Sequence, residues 1–209
     1  MIGVFGGTFD PIHNGHLRTG LDLCEALPLS QLRWIPAAQP PHRDTPHADA
    51  DQRLAMVRLA IADQPGFLAD DRELRRDGPS FMVDTLASIR ADIGLNSPLC
   101  LIIGADAYAG LNAWSRWKSL LDHAHLVVMT RPDAPPIPDE IIAWSASRQA
   151  RDLDTLHAKP TGAIWFQTVT ALTISASDIR ARIAAGLNPR YLLPESVAEY
   201  ISEHRLYRP

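Results

Sequence analysis

Short apolar runs alternate with amphipathic segments along most of the chain. The apolar runs are typical of buried strands and predict six of them, at residues 2–5, 31–35, 67–70, 99–103, 126–130 and 163–168. Apolar positions spaced three or four apart predict helices at residues 15–27, 50–63, 80–93, 139–152, 175–185 and 194–204. A further short helical stretch carries Trp114 and Trp117, and residues 37–49, 131–138 and 155–162 are predicted loops.

The order of these elements predicts the fold class. Strands that alternate with helices form a parallel sheet, and their continuous apolar character indicates that helices cover both of its faces. We therefore expect a doubly wound, Rossmann-like α/β fold that binds ligands at the carboxyl ends of its strands. The sequence contains no internal repeat or low-complexity tract, so we predict a single domain over residues 1–209.

The composition of the chain argues against several classes of function. The 209 residues are 46% hydrophobic, and 20 Lys and Arg against 24 Asp and Glu give a net charge of -4. Such a chain lacks the basic character of a general nucleic-acid binder, so an anion site must be local. No apolar run reaches the roughly 20 residues of a membrane span, and no signal peptide is visible. Cys24 and Cys100 lack zinc-site spacing and are expected to be buried free thiols, so we predict a cytoplasmic protein.

The segment after the first strand carries the strongest chemical signal. It reads Gly6-Gly7-Thr8-Phe9-Asp10-Pro11-Ile12-His13-Asn14-Gly15-His16. Glycines at the turn let backbone N–H groups approach a ligand, and two histidines three residues apart at a helix start can face one phosphate. Adjacent phosphate favours charged imidazole, so the pair offers two potential cations. Helix capping and metal binding are the alternatives, but zinc would need a third protein ligand.

A second segment, Ile174-Ser175-Ala176-Ser177-Asp178-Ile179-Arg180, opens a predicted helix near the other end of the chain. Its hydroxyls and an arginine about one turn into the helix can bind phosphate oxygens. The alternative is an ordinary capping box between Ser175 and Asp178, which is compatible with phosphate binding. The histidine segment is neither a Gly-x-Gly-x-x-Gly turn nor a P-loop, which argues against hydride transfer and P-loop hydrolysis.

Together the two segments resemble the paired motifs of the nucleotidylyltransferase superfamily, His-x-Gly-His and Ile-Ser-x-Thr-x-Ile-Arg, with Ser177 in place of the threonine. The longer first motif most resembles the bacterial nicotinate-nucleotide adenylyltransferases. The resemblance implies adenylyl transfer from ATP to nicotinate mononucleotide, giving deamido-NAD and pyrophosphate in NAD biosynthesis. It also implies Mg²⁺ bound mainly through substrate phosphates, with no metal site built by the protein. A homo-oligomer is compatible with the sequence, which does not define the oligomeric state.

The resemblance also implies site residues. The catalytic residues would be His13, His16 and Arg180. ATP would be bound by Gly6, Gly7, Thr8, Phe9, Gly15, His16, Gly104, Asp106, Ser175, Ser177, Ile179 and Arg180. The acceptor would be bound by His42, Arg43, Ser80, Phe81, Met82, Thr85, Trp114 and Arg131.

Several of these acceptor residues have ordinary alternatives. The Pro40-Pro41-His42-Arg43 segment could be a solvated loop, and the Trp114–Trp117 spacing is also common in helix packing. Phe81 and Met82 stand where the family commonly has tyrosine and threonine. Backbone N–H groups can still bind the nicotinate carboxylate, and Thr85 can supply a hydroxyl there. The other candidate functions are adenylyl transfer to nicotinamide mononucleotide, phosphopantetheine or a small phosphorylated alcohol, and non-catalytic nucleotide sensing. Every enzymatic alternative requires both motifs to border one cleft.

Overall fold

The computed structural model describes residues 1–39, 45–130 and 135–208. Its strands are β1 (Ile2–Gly7), β2 (Gln31–Pro36), β3 (Phe67–Ala69), β4 (Leu99–Gly104), β5 (His125–Thr130) and β6 (Ile164–Thr168). They form one parallel sheet in the order β3-β2-β1-β4-β5-β6. The predicted α/β class is therefore confirmed. The chain reverses its direction of progress across the sheet between β1 and β4, which is where such sheets bind ligands.

Helices lie along both faces of this sheet. They are α1 (Asn14–Ala26), α2 (Ala50–Ile61), α3 (Met82–Ile93), α4 (Ala105–Ala109), α5 (Leu120–His123), α6 (Asp139–Ser145), α7 (Asp154–Ala158), α8 (Ala176–Ala184) and α9 (Glu195–Glu203). Two single 3₁₀ turns span Leu111–Ala113 and Trp117–Ser119. None of the helices in the described ranges combines the length and apolarity that a bilayer span requires.

The core is divided by the sheet because successive strand residues point to opposite faces. Along β4, Cys100 and Ile102 pack with residues of α1, α2, α8 and α9, whereas Leu99, Leu101 and Ile103 pack with α3, α5 and α6. The first and last segments of the chain thus share one core layer. This arrangement brings α1, which follows the histidine segment, near α8, which follows the serine–arginine segment.

Two predicted elements differ from the structure. The helix predicted at residues 139–152 ends at Ser145, because Ala150 N donates to Ile164 O at 2.8 Å and adds this segment to the edge of the sheet. Part of the predicted loop at residues 155–162 is instead helical, within α7.

Trp114 and Trp117 also differ from the prediction, because they do not share one helix. Trp114 is extended, with φ −76° and ψ 143°, and Arg116 at φ 50° turns the chain before Trp117 begins the second 3₁₀ turn. Trp117 is buried and packs edge-on against Trp144, whereas Trp114 is half-buried. Core packing thus accounts for Trp117 and leaves Trp114 available for a ligand.

Candidate active site

A cleft of about 1420 Å³ opens at the carboxyl ends of the central strands. Residues of both motifs border it, as the sequence requires. The predicted site residues that line it are Gly6, Gly7, Thr8, Phe9, His13, Gly15, His16, Ser80, Phe81, Met82, Gly104, Asp106, Trp114, Ser175, Ser177 and Arg180. The structure therefore brings the amino-terminal and carboxyl-terminal motifs to one cavity.

The two histidines form a stacked pair at the start of α1. His13 is the N-cap residue, and its backbone N–H donates to Nδ1 of His16 at 3.3 Å. The ring centroids lie 3.7 Å apart with an interplanar angle of 22°. A Cβ on Gly15 would lie 3.0 Å from Nδ1 of His13, so this glycine makes room for the imidazole. The histidines thus do cap the helix, and both rings still border the cleft.

Burial keeps this pair neutral in the free protein. Loss of solvent lowers the pKa of His13 from 6.5 to about 4, and burial together with the neighbouring His13 lowers the pKa of His16 well below 6.5. The potential cations inferred from the sequence are therefore uncharged at pH 7 in the free site. Nδ1 of His13 is buried and, within the described part of the chain, has no hydrogen-bond partner. A ligand atom could supply one.

The low pKa of His13 predicts a loss of stability in acid. The unfolded chain takes up the proton near pH 6.5 and the folded chain only near pH 4, so the free energy of unfolding falls as the pH decreases between these values. We expect His13→Asn, which can still cap α1, to remove this contribution, on the order of 1–2 kcal/mol between pH 7 and pH 5. Urea unfolding of both proteins at the two pH values measures it. A stability difference between them that does not change with pH would contradict the neutral-histidine assignment.

The second motif forms the first turn of α8. Ser175 is its N-cap, and its Oγ accepts a hydrogen bond from the backbone N–H of Asp178 at 3.1 Å. The capping interpretation is therefore correct and coexists with a place in the cleft wall. Arg180 reaches across to the first motif, where Nη1 donates to the backbone carbonyl of Asp10 at 2.7 Å. This contact joins two segments 170 positions apart in sequence.

Asp10 is the centre of a buried network beneath the turn. Its carboxylate, 4% exposed, accepts hydrogen bonds from the backbone N–H groups of His47 at 2.9 Å and Ala48 at 3.1 Å. Near the chain terminus, the Tyr207 hydroxyl donates to the same carboxylate at 2.8 Å. Burial and Asp10 raise the pKa of Tyr207 far above its usual value, so this hydroxyl keeps its proton. The carboxyl-terminal residues thus help to fix the loop that Arg180 contacts.

Tyr207→Phe is expected to lower the free energy of unfolding by about 1.5–3 kcal/mol, because it removes a hydrogen bond to a buried charge. Chemical denaturation of the purified variant measures the loss. Tyr191→Phe is the matched control, since Tyr191 is 81% exposed and should tolerate the same change. Equal unfolding midpoints for the two variants would show that the Tyr207 contact contributes nothing.

Some predicted residues do not reach the cleft. Ile179 is fully buried in the core beneath α8, and its side chain does not line the cleft. Thr85 is also fully buried, and its hydroxyl donates to Oε1 of Glu73 at 2.6 Å rather than facing the acceptor site. Both side chains thus lie away from the cleft wall in which they were expected, because helix periodicity turns these positions toward the protein interior. His42, Arg43 and Arg131 lie outside the described residues.

Glu73 borders the cleft and was missed by the sequence analysis. It lies in the charged run Asp70-Asp71-Arg72-Glu73-Leu74-Arg75-Arg76-Asp77, which resembles a solvated loop. Only the folded structure distinguishes this glutamate, which is 2% exposed, from its neighbours. No sequence signal would have found it, because its partners come from other segments.

Comparison with known proteins agrees with this geometry. The sequence model of the cytidylyltransferase-like family matches residues 4–182. A protein of Aeromonas hydrophila named "probable nicotinate-nucleotide adenylyltransferase" is 48% identical over 209 residues, covering 100% of this chain and 97% of its own length. A Pseudomonas aeruginosa protein of the same name is 47% identical and covers 99% of this chain and 97% of its own length.

Solved structures show the same fold. A Plasmodium falciparum nicotinic acid mononucleotide adenylyltransferase complexed with NaAD has a TM-score of 0.74 at 16% identity, covering 99% of this chain and 96% of its own. At that identity the likeness concerns the fold alone. The family model and the full-length relatives carry the assignment: the chain belongs to the cytidylyltransferase-like family and, within it, to the nicotinate-nucleotide adenylyltransferases.

Proposed function

We propose that the protein transfers the adenylyl group of ATP to nicotinate mononucleotide, giving deamido-NAD and pyrophosphate, a step of NAD biosynthesis. The observation that carries this proposal is the 2.7 Å hydrogen bond from Arg180 to the Asp10 carbonyl. It brings the arginine of one motif to the turn of the other, beside the stacked histidines. The activity named for the full-length bacterial relatives supports the same reaction.

The reaction exchanges one phosphoanhydride bond for another. An oxygen of the mononucleotide phosphate attacks the α-phosphorus of ATP in line, and the bond from that phosphorus to the bridging β-phosphate oxygen breaks. The acceptor phosphate is already ionised at neutral pH, so no general base is needed. The protein contributes orientation and charge stabilisation, which are the main catalytic effects in transfers of this kind.

His13, His16 and Arg180 supply that stabilisation in our proposal. The approach of a polyphosphate favours protonated imidazole, so phosphate binding raises the pKa of the neutral pair and the site becomes positive when it is filled. Arg180 is always charged and can contact two phosphate oxygens through its planar guanidinium. Thr8 and Ser177, which line the same cleft, are placed to donate hydroxyl hydrogen bonds.

Mg²⁺ is part of this proposal as a partner of ATP. Among the described residues, no group of three or more His, Cys, Asp or Glu side chains could hold a metal ion. In our proposal the cation takes its oxygens mainly from the triphosphate and water. Its chemistry would be to neutralise charge on the phosphates.

The acceptor is proposed to bind between Trp114 and the start of α3. Ser80, Phe81 and Met82 form that side of the cleft, and Phe81 is the N-cap of a 12-residue helix. A helix start offers free backbone N–H groups and a positive dipole end, which favour the nicotinate carboxylate over a neutral amide. This supply of donors replaces the threonine hydroxyl that Met82 lacks. We propose that the reaction takes place in the cytoplasm.

An assay with nicotinate and nicotinamide mononucleotides at equal concentrations tests the proposal. We expect ATP-dependent pyrophosphate release with both present, and deamido-NAD as the main dinucleotide. NAD as the main product would assign the amide as substrate. Absence of pyrophosphate release with either acceptor, despite ATP binding, would support a nucleotide sensor instead.

A further inference from the structure

We infer that Glu73 is a positioning residue for the acceptor side of the site, an inference that rests on the proposed function. Its carboxylate accepts hydrogen bonds from the hydroxyl groups of Thr85, in α3, and Ser80, just before α3. Ser80 in turn binds residues 38 and 39, in the segment after β2. These segments meet at the part of the cleft formed by Ser80, Phe81 and Met82. Glu73 does not need to touch the substrate to set the shape of that surface.

The first hydroxyl is that of Thr85. Its Oγ1 donates to Oε1 of Glu73 at 2.6 Å, and both side chains are buried. The same Oγ1 accepts a hydrogen bond from Nη2 of Arg76 at 3.1 Å. The Thr85 oxygen is therefore engaged both as donor and as acceptor, and it connects the carboxylate to a positive charge.

The second hydroxyl is that of Ser80. Its Oγ accepts hydrogen bonds from the backbone N–H groups of Ala38 at 3.0 Å and Gln39 at 3.1 Å. Both acceptor positions of this oxygen are thus used, so its proton is free to bond to the Glu73 carboxylate, which lowers the pKa of that group. The backbone N–H of Ser80 also donates to Gln39 O at 3.0 Å. Residues 38 and 39 are thereby held against residue 80.

A carboxylate suits this arrangement better than an amide. Each hydroxyl oxygen already accepts a hydrogen bond from another group. Thr85 gives its proton to Glu73 at 2.6 Å, and Ser80 also hydrogen-bonds to that carboxylate. A carboxylate has acceptors for both protons, whereas glutamine has one accepting oxygen and an NH₂ group that donates. In Glu73→Gln both hydroxyl protons must share the single carbonyl oxygen, or one hydroxyl faces the NH₂ donor and turns away. Burial raises the pKa of Glu73, and the hydrogen bonds from Thr85 and Ser80 together with the charge of Arg76 limit that rise.

The consequence is confined to one substrate. Glu73 and Ser80 border the acceptor side of the cleft and Thr85 is buried behind them, while His13, His16 and Arg180 lie on the opposite side, at the starts of α1 and α8. We expect Glu73→Gln to raise the KM for nicotinate mononucleotide about tenfold and to change the KM for ATP less than twofold. A general loss of packing would instead raise the KM for both substrates and lower kcat as well.

Steady-state kinetics of the full chain with each substrate varied in turn provides the test. Glu203→Gln is the matched control, because Glu203 is exposed at the end of α9. Thr85→Ser keeps the hydroxyl and should retain a nearly normal acceptor KM, whereas Thr85→Val should raise it as Glu73→Gln does. If Glu73→Gln fails to fold, the Thr85 pair decides the question by the same criterion.

Several outcomes would overturn the inference while the proposed function stands. In the first, wild-type protein uses nicotinate mononucleotide and Glu73→Gln has the same KM for this acceptor as wild type. In the second, Glu73→Gln raises the KM for both substrates to the same extent and also lowers the unfolding midpoint. Equal acceptor KM values for Thr85→Ser and Thr85→Val would also contradict it. Failure of the proposed function would look different, because wild-type protein itself would then form no dinucleotide from this acceptor.

Discussion

His16→Ala should lower kcat for dinucleotide formation by about 10²-fold or more while the protein stays folded. The imidazole of His16 borders the shared cleft, and its ring centroid lies 3.7 Å from that of His13. Alanine offers no hydrogen-bond donor to a phosphate. The change also removes the acceptor for the backbone N–H of His13 at the start of α1. Loss of this capping hydrogen bond should lower the free energy of unfolding by about 0.5–2 kcal/mol. Stopped-time assays of product at saturating ATP and acceptor measure the effect on turnover.

His157→Ala is the matched control, because His157 lies exposed on α7 and does not border the cleft. It should keep wild-type turnover. Circular dichroism and thermal unfolding of the His16 variant establish that it folds. Near-normal turnover by a folded His16→Ala protein would refute the role assigned to this histidine.

Arg180→Met should lower kcat/KM by about 10²–10³-fold, because it removes a fixed positive charge from the phosphate site. Arg180→Lys should recover only part of this loss, since an ammonium cannot reproduce the planar pair of donors that a guanidinium presents. In the free protein this guanidinium already contacts the Asp10 carbonyl at 2.7 Å, so its position at the first motif does not depend on the ligand. Initial rates at low ATP measure kcat/KM for the three proteins.

Arg182→Met provides the comparison for this series. Arg182 belongs to the same helix, α8, but is exposed and does not line the cleft. It should retain wild-type kcat/KM. If Arg180→Met were as active as Arg182→Met, the second motif would have only its helix-capping role.

The sheet could be predicted from the sequence because buried parallel strands appear as short, continuous apolar runs. β4, Leu99–Gly104, is apolar along its length because both of its faces are covered. The two motifs were also recognisable, because each combines a helix start with chemically active side chains at fixed spacing. Their convergence does not follow from strand order, because β4 and β5 separate β1 from β6. The segment after β6, with Val169, Thr170 and Ile174 in the cleft wall, leads back to the first motif.

The sequence could not predict contacts that join distant segments. Glu73 stands in a run of charged residues in the sequence, and its buried contacts with Thr85 and Ser80 come from another segment. Nothing in the sequence around Tyr207 indicates its hydrogen bond to Asp10, which lies 197 positions away. The neutral state of His13 and His16 likewise arises from burial in the folded protein. Local spacing reports periodicity and motif chemistry, but solvent exclusion requires the whole fold.

We propose that the triphosphate held by His13, His16 and Arg180 gives up its adenylyl group to the acceptor. Incubation with nicotinate mononucleotide and ATP labelled at either the α- or the γ-phosphorus tests it most directly. We expect α-label in deamido-NAD and γ-label in pyrophosphate, in equal amounts. Transfer of γ-label to the mononucleotide, or retention of α-label in ATP despite bound acceptor, would contradict it.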